Sequence, residues 1–374
     1  NMTTALVINA GSSSIKWKII DGSSGTEVRG GIVERLGQSS DGGLDHKDAI
    51  RSIVAGLEDE NLSVIGHRVV HGGTRFTEAT LVTEEVEEQI AELSALAPLH
   101  NPVNLAGIRA TRTAFPSIPH VAVFDTAFHQ TLAPAASTYA LPVKLAERHR
   151  IRRYGFHGIS YEYVSARAAE LLGRPLSELR LILFHLGNGA SACAMSAGRS
   201  VETSMGMTPL EGLVMGSRAG DLDPGVILQL GRAGLSLEEL DTILTRKSGL
   251  LGLAGTGDMR EIQSAAAAGD AEAALALDVY YHRLRHYLGA YLAQLGGADA
   301  IVFTAGVGEN SPTTRAATLA GLEDLGILID RGLNQATGNR ARVVSRADSG
   351  VAVLVVPTDE ELEIARQSLE VVGR

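Results

Sequence analysis

Residues Leu6 to Ile20 read LVINAGSSSIKWKII. A short apolar run, Leu6 to Ile8, breaks into Asn-Ala-Gly and three serines. A β-rich run, Ile15 to Ile20, follows at once, with Lys16 at its start. Two runs joined this tightly form a hairpin. Glycine in the turn lets the backbone approach a ligand and aim its N–H groups at it. Serine and asparagine add short polar contacts, so the turn suits phosphate oxygens, which take many donors at close range. Gly, Ser and Asn also make ordinary turns, and one such turn decides little.

The design recurs. LILFH, residues 181–185, leads into LGNGAS (186–191) and a β-like return, ACAM. AIVFT, residues 300–304, leads into AGVGEN (305–310). Three glycine loops, NAGSSS, LGNGAS and AGVGEN, thus each follow an apolar strand. Repetition at this distance points to a duplicated α/β domain and not to a solenoid.

Between these points the chain alternates. A helix is expected near Asp45–Leu57, a strand at Leu62–Val70, a helix capped by Thr83 through Leu96, and a helix to Phe115 with Asn101 as cap and Pro102 at its first position. A strand His120–Phe124 ends at Asp125. Later come an Ala-rich helix over Ala271–Gly296, a strand Val351–Val356 and a C-terminal helix opening TDEEL. There Thr358 and Glu361 have capping-box spacing, which leaves Glu360 unoccupied. The expected domains are 1–126 together with the C-terminal helix 362–374, carrying the first hairpin and the substrate side, and 127–361, the nucleotide-binding half.

Bulk properties narrow the function. The chain has 374 residues, of which 45% are hydrophobic and 20% charged, with a net charge of −10. That length favours two domains. An acidic surface argues against nucleic acid or an anionic membrane as main partner, and no apolar run approaches a membrane span. The single cysteine, Cys193, rules out an intrachain disulfide and fits a reducing cytoplasm. No signal-peptide pattern is present. GxxxxGK[ST], GxSxG, HExxH and paired cysteines are all absent, so phosphate binding requires a nucleotide fold other than the P-loop. Two α/β halves with one phosphate hairpin each resemble the actin/Hsp70/sugar-kinase superfamily, which implies a nucleotide in the cleft between the halves.

Cationic and imidazole residues gather in short blocks: HRVVHGGTRF (67–76), APLHNP (97–102), FDTAFHQ (124–130), RRYGFHGIS (152–160), FHLGNGAS (184–191) and MTPLEGLVMGSRAGDLDP (207–224). His67, His71, His100, His129, His157 and His185 all lie in them, and several must be supporting residues. Together with NAGSSSIK, SGLLGL, DMR, TAGVGEN and TDEEL, in this order over almost the whole chain, these blocks resemble the acetate kinase family. The resemblance implies ATP + acetate ⇌ ADP + acetyl phosphate with Mg2+, or alternatively Mn2+, in a homodimer.

The residues agree with such chemistry. A carboxylate attacking an anionic γ-phosphoryl group meets repulsion that two guanidinium groups can offset, because guanidinium is bidentate toward carboxylate and phosphate. Arg68 is assigned to the substrate carboxylate and Arg218 to the charge developing in transfer. By resemblance His157 stabilises the transition state. His185 reaches the phosphates or is a core imidazole. Asp125 matches the family's proton donor and acceptor. Acetate has already lost its proton at neutral pH, so positioning a Mg2+-bound water explains Asp125 equally well, and capping of the following segment is a third role. Asn9 and Glu360 are the metal-side candidates. Ser12 and Lys16 are placed toward phosphate, although Lys16 also reads as a solvated edge-strand lysine. Val70, Leu99, Phe156 and Pro209 match the methyl pocket, and Val70 leans toward acetate over propionate. Gly187, Asn188, Gly189 and Ala190 are expected along the phosphates. Asp258, Met259 and Arg260, with Gly306, Gly308 and Asn310, are expected around ribose and adenine.

Several positions depart from the family pattern: Ile159 and Tyr161 after RRYGFHG, Glu202, Ser217 and Ala219 around the loop arginine, and Ala254 and Gly257 before Asp258. None removes a charged catalytic residue. Three other readings remain: a propionate or butyrate kinase, an actin/Hsp70-like ATPase switch, and an acyl phosphatase.

Overall fold

The computed structural model describes residues 3–11, 13–34, 36, 45–57 and 60–373. They form two compact units. The first contains residues up to Gln130, His157–Tyr163 and the chain from Asp359; the second contains Thr131–Phe156 and Val164–Thr358. The segment carrying His157 and the first glutamates of the C-terminal helix therefore belong with the first unit, whereas the expected boundaries put them with the second.

The first unit is built on a six-stranded sheet of β1 (Thr4–Ala10), β2 (Ile15–Asp21), β3 (Thr26–Val33), β4 (Val64–Val69), β5 (Thr80–Leu81) and β6 (His120–Phe124), in the order β3-β2-β1-β4-β6-β5. The opening hairpin forms as read, with Asn9 opposite Lys16 and Ala10 opposite Ile15. β1, β4 and β6 run parallel, and β5 closes the edge antiparallel. Side chains alternate across a strand. In β1, Leu6, Ile8 and Ala10 therefore pack on one face with Ile50, Ile53 and Val54 of the helix His46–Ala55. Ala5 and Val7 pack on the other face with Val121, Val123 and Ile364 of the C-terminal helix Glu360–Gly373. A strand covered on both faces reads as a continuous apolar run, as the fully buried HVAVF of β6 does.

The second unit repeats the plan with β7 (Arg180–Leu186), β8 (Ala190–Ser196), β9 (Arg199–Thr203), β10 (Ala300–Thr304), β11 (Arg342–Val343) and β12 (Ala352–Val355), in the order β11-β12-β10-β7-β8-β9. β7 stands where β1 stands, β10 where β4 stands and β12 where β6 stands, with the same parallel and antiparallel pairings. The duplication expected from the sequence is present strand for strand. The long helix Ala271–Leu295 is capped by Asp270 and ends at Gly296 in the left-handed conformation.

Three local expectations are corrected. AGVGEN is not a loop: Ala305–Asn310 is a short helix that begins directly from β10, with Ala305 at φ +66° making the turn. Asn101 is not the cap of the helix Asn101–Ala114. His100 holds the cap position, while the Asn101 side chain is buried and exchanges hydrogen bonds with the backbone N–H and C=O of His71. TDEEL does not close a capping box. Asp359 caps the C-terminal helix through the N–H of Leu362, and Glu361 pairs instead with Lys16 at 2.6 Å. The Thr83 cap forms, but its α-helix ends at Glu92 and a 3-10 turn follows over Leu93–Ala95.

Candidate functional site

In open sheets of this kind ligands bind beyond the carboxyl ends of the parallel strands. In the first unit the ends of β1, β4 and β6 bring Asn9, Arg68 and Asp125 together. Arg68 Nε donates to Asp125 Oδ1 at 3.1 Å and Nη2 to Oδ2 at 2.5 Å, a bidentate fork, and Nη1 donates to Asn9 Oδ1 at 3.3 Å. Asp125 is only 2% exposed. Burial alone would weaken the Arg68 guanidinium's hold on its proton, but the Asp125 and Glu360 carboxylates reverse this and raise its pKa. Glu360, at the start of the C-terminal helix, is pushed up to about 7, first by burial and then by the carboxylates of Asp125 and Glu361, against the pull of Arg68 and Lys16. Asn9 and Glu360 offer hard oxygen donors, the kind of ligand Mg2+ takes. Among the described residues no group of three His, Cys, Asp or Glu converges as a metal cage.

The backbone around these residues is fixed by buried amides and a hydroxyl. Asn104 accepts from the N–H of Val70 and donates to the carbonyl of Ala10, and Thr126 Oγ1 accepts from the N–H of Gly72. These residues were not singled out from the sequence. The only hint was Asn101-x-x-Asn104, two amides on one face of a helix. Val70 itself is buried, while Leu99 is 51% exposed.

His157 stands at φ +57°, a conformation that costs a non-glycine residue about 1–3 kcal/mol. The strain is held because the next residue, Gly158, donates its N–H to the carbonyl of Asp125 at 2.9 Å; a Cβ at Gly158 would stand 2.4 Å from that oxygen. Asp125 and His157 are thus fixed to each other through the main chain. His67 and His71, from the same sequence blocks, are supporting residues. His67 Nε2 and His120 Nδ1 share a hydrogen bond of 3.0 Å across β4 and β6, and burial depresses both imidazoles, that of His120 to about 4. His71 Nδ1 accepts from the N–H of Gly73. Lys16 reaches Glu361, and Ser12 lies outside the described residues.

In the second unit His185 lies near the end of β7, opposite Ser191 of β8, and is buried. The turn beyond it is closed by Gly187 N–H to the carbonyl of Gly189 at 3.1 Å. The Arg218 loop packs directly on this turn. Gly216 N–H donates to the carbonyl of Asn188 at 3.0 Å, and a Cβ at Gly216 would stand 2.2 Å from Asn188 Oδ1. Arg218 Nη1 donates to the carbonyl of Pro209 at 3.1 Å and lies 3.8 Å from Met215 Sδ. Among the described residues no carboxylate is within ion-pair distance of it, and burial lowers its pKa. A desolvated guanidinium without a counter-anion is poised to take an anionic ligand. Phe156 is buried and Pro209 half-buried.

The nucleotide candidates further along divide. Asp258 caps the helix Met259–Ala267 and pairs with Arg260, which is otherwise exposed, while Met259 is buried. Gly306 has open space where a Cβ would stand, and its carbonyl accepts from Asn310 Nδ2. The carbonyls of Gly308 and Glu309 accept from the buried Arg315.

Comparison with known proteins decides the family. The acetokinase family matches residues 4–366. An acetate kinase of Leifsonia xyli subsp. xyli is 57% identical, with 100% of both chains covered. The chain belongs to the acetokinase family. A crystal structure of Porphyromonas gingivalis acetate kinase is similar with a TM-score of 0.93 and 41% identity, over 99% of this chain and 100% of that one. A propionate kinase from Francisella tularensis subsp. tularensis is similar with a TM-score of 0.92 and 38% identity, over 99% of this chain and 100% of that one. Two departures from the acetokinase pattern are accounted for by packing. Ile159 joins the core with Val7, Val121 and Ile364, and the buried Tyr161 ring meets His129 edge-on.

Proposed function

We propose that the protein transfers the γ-phosphoryl group of ATP to acetate, reversibly, giving acetyl phosphate and ADP. The observation that carries this reading is membership of the acetokinase family over residues 4–366, joined to 57% identity over the full length with an acetate kinase. An oxygen of the acetate carboxylate attacks the γ-phosphorus in line while the bond to the β–γ bridging oxygen breaks. No proton has to move at neutral pH. Catalysis is then positioning and charge neutralisation.

In this reading Arg68 holds the acetate carboxylate with the N–H donors not committed to Asp125 and Asn9. Arg218 neutralises charge on the transferring group, and His157 donates to its equatorial oxygens. His185, the turn 187–189 and the segments 258–260 and 306–310 hold the nucleotide. Lys16, paired with Glu361, orients the metal-side glutamates. Asn9 and Glu360 would hold Mg2+, which would supply positive charge against the phosphate oxygens. Asp125, with both oxygens accepting from Arg68, is a positioner of Arg68 and metal-bound water in preference to a base. We extend the proposal to a homodimer in the cytoplasm. Among the described residues no helix is long and apolar enough to cross a membrane.

The test is the protein with Mg-ATP, hydroxylamine and C2 to C4 carboxylates. Hydroxamate that depends on acetate is the expected result. ATP loss indifferent to acetate would favour a nucleotide switch, and phosphate release from acetyl phosphate without ADP would favour a phosphatase. Val70→Ala enlarges the buried wall assigned to the methyl group. It should raise kcat/KM for propionate relative to acetate by roughly ten-fold, since one methylene is worth about 1–3 kcal/mol in a pocket. An unchanged ratio would remove Val70 from that wall.

A further inference from the structure

The loop that carries Arg218 is closed by a carboxylate to which neither the family blocks nor the proposed mechanism gives a role. Asp221 N–H donates to the carbonyl of Gly212, and Gly212 N–H donates to Asp221 Oδ1, both at 2.9 Å. The other oxygen, Oδ2, accepts from Tyr287 Oη–H at 2.6 Å and lies 3.9 Å from Arg283 Nη1. Tyr287 and Arg283 stand on the 25-residue helix Ala271–Leu295. One carboxylate thus ties the base of the loop to the longest helix of the chain. The loop has little slack at this end. Gly220 stands at φ +71°, and a Cβ there would lie 2.4 Å from the carbonyl oxygen of Leu213. Asp221 and Arg218 thus stand three residues apart in one closed loop. Burial and the bond to Asp221 both raise the Tyr287 phenol above its ordinary pKa, so it remains a proton donor throughout the working range.

We propose that Asp221 and Tyr287 are positioning residues that hold the Arg218 guanidinium in register through the closed loop 212–221. The proposal rests on the reading of Arg218 as the group that neutralises the transferring phosphoryl. The middle of the loop has separate braces: Ala219 N–H to the carbonyl of Leu244 at 3.1 Å, Ser248 N–H to that of Ser217 at 2.9 Å and Leu250 N–H to that of Met215 at 2.9 Å. Loss of the Tyr287 hydroxyl therefore loosens the loop and leaves it folded.

Tyr287→Phe keeps the ring and removes the hydroxyl. It should lower kcat by about ten-fold, as expected for a small misplacement of a reacting group, while the KM for ATP stays within about two-fold. The deciding measurement is the same substitution in an Arg218→Ala background. A residue that acts through Arg218 loses its effect there, so the further loss should be under about two-fold. An equal fold-loss in both backgrounds, or no loss with Arg218 present, would overturn the proposal. Asp221→Asn keeps the bond to Gly212 and should show the same dependence on Arg218, so a folding defect in one variant does not decide the matter. Tyr291→Phe is the control. Its hydroxyl is buried one turn further along the same helix with no hydrogen-bond partner among the described residues, and its removal should leave kcat unchanged. If Arg218→Ala alone keeps near-normal turnover, the reading of Arg218 has failed, and that outcome is distinct from a failure of the Tyr287 coupling.

Discussion

Arg218→Ala should reduce acetate-dependent hydroxamate formation on the order of 10³-fold, the scale of losing an arginine that stabilises a transferring phosphoryl group, with ADP affinity changed by no more than a few-fold. Two features make the effect large and selective. The guanidinium faces a carbonyl and a thioether and no carboxylate among the described residues, so nothing local competes with an incoming anion. Its pKa is lowered by burial, which means that the charged form has given up solvation without yet gaining a counter-charge. An anion that develops charge beside it is stabilised more than it would be in water. The turn at residues 187–189, proposed to hold the nucleotide, does not depend on the side chain, because the loop meets Asn188 through the N–H of Gly216. Titration with ADP, set beside turnover, separates the two roles. A parallel loss of binding and rate would assign Arg218 to ground-state nucleotide binding instead.

The parts of the fold that were legible in the sequence are those set by short-range patterning. The hairpin at Leu6–Ile20 and the strands His120–Phe124 and Ala300–Thr304 follow from apolar runs bounded by turn residues, and the repeat followed from comparing LILFHLGNGAS with LVINAGSSS. What was misread depended on partners far along the chain. Glu361 has capping-box spacing from Thr358, but Lys16 recruits its carboxylate and the cap passes to Asp359. Asn101 precedes a proline at a helix start, the pattern of a cap, but the His71 backbone takes its side chain. AGVGEN looks like the two hairpin turns in composition. Only the return strand, absent after Asn310, separates a turn from a strand-to-helix junction. Arg68 and Arg218 were legible as cations in glycine-rich blocks. That one is forked onto Asp125 and the other faces no carboxylate among the described residues was not, because both facts are tertiary.

The fork gives Arg68→Ala two consequences that can be read independently. The first is functional: removing a charge-assisted bond to the substrate carboxylate should raise the KM for acetate by roughly 10- to 100-fold, since one such bond contributes about 1.5–3 kcal/mol. The second is structural: Asp125 is left buried without its cation, and breaking a buried pair from one side costs about 3–5 kcal/mol. Thermal denaturation should register this as a clear fall in Tm for the single variant. Asp125→Asn added to Arg68→Ala removes the stranded charge while keeping a side chain of the same size, so it should return much of the lost stability. It should return none of the acetate affinity, because the guanidinium is still missing. The two readouts therefore move apart in the double variant. If Tm and KM recover together, Arg68 serves only to hold Asp125, and the carboxylate site must be sought elsewhere. If the single variant keeps its Tm, the fork contributes nothing to the first unit, and the strand ends that carry Asn9, Arg68 and Asp125 are held by the Asn104 and Thr126 hydrogen bonds alone.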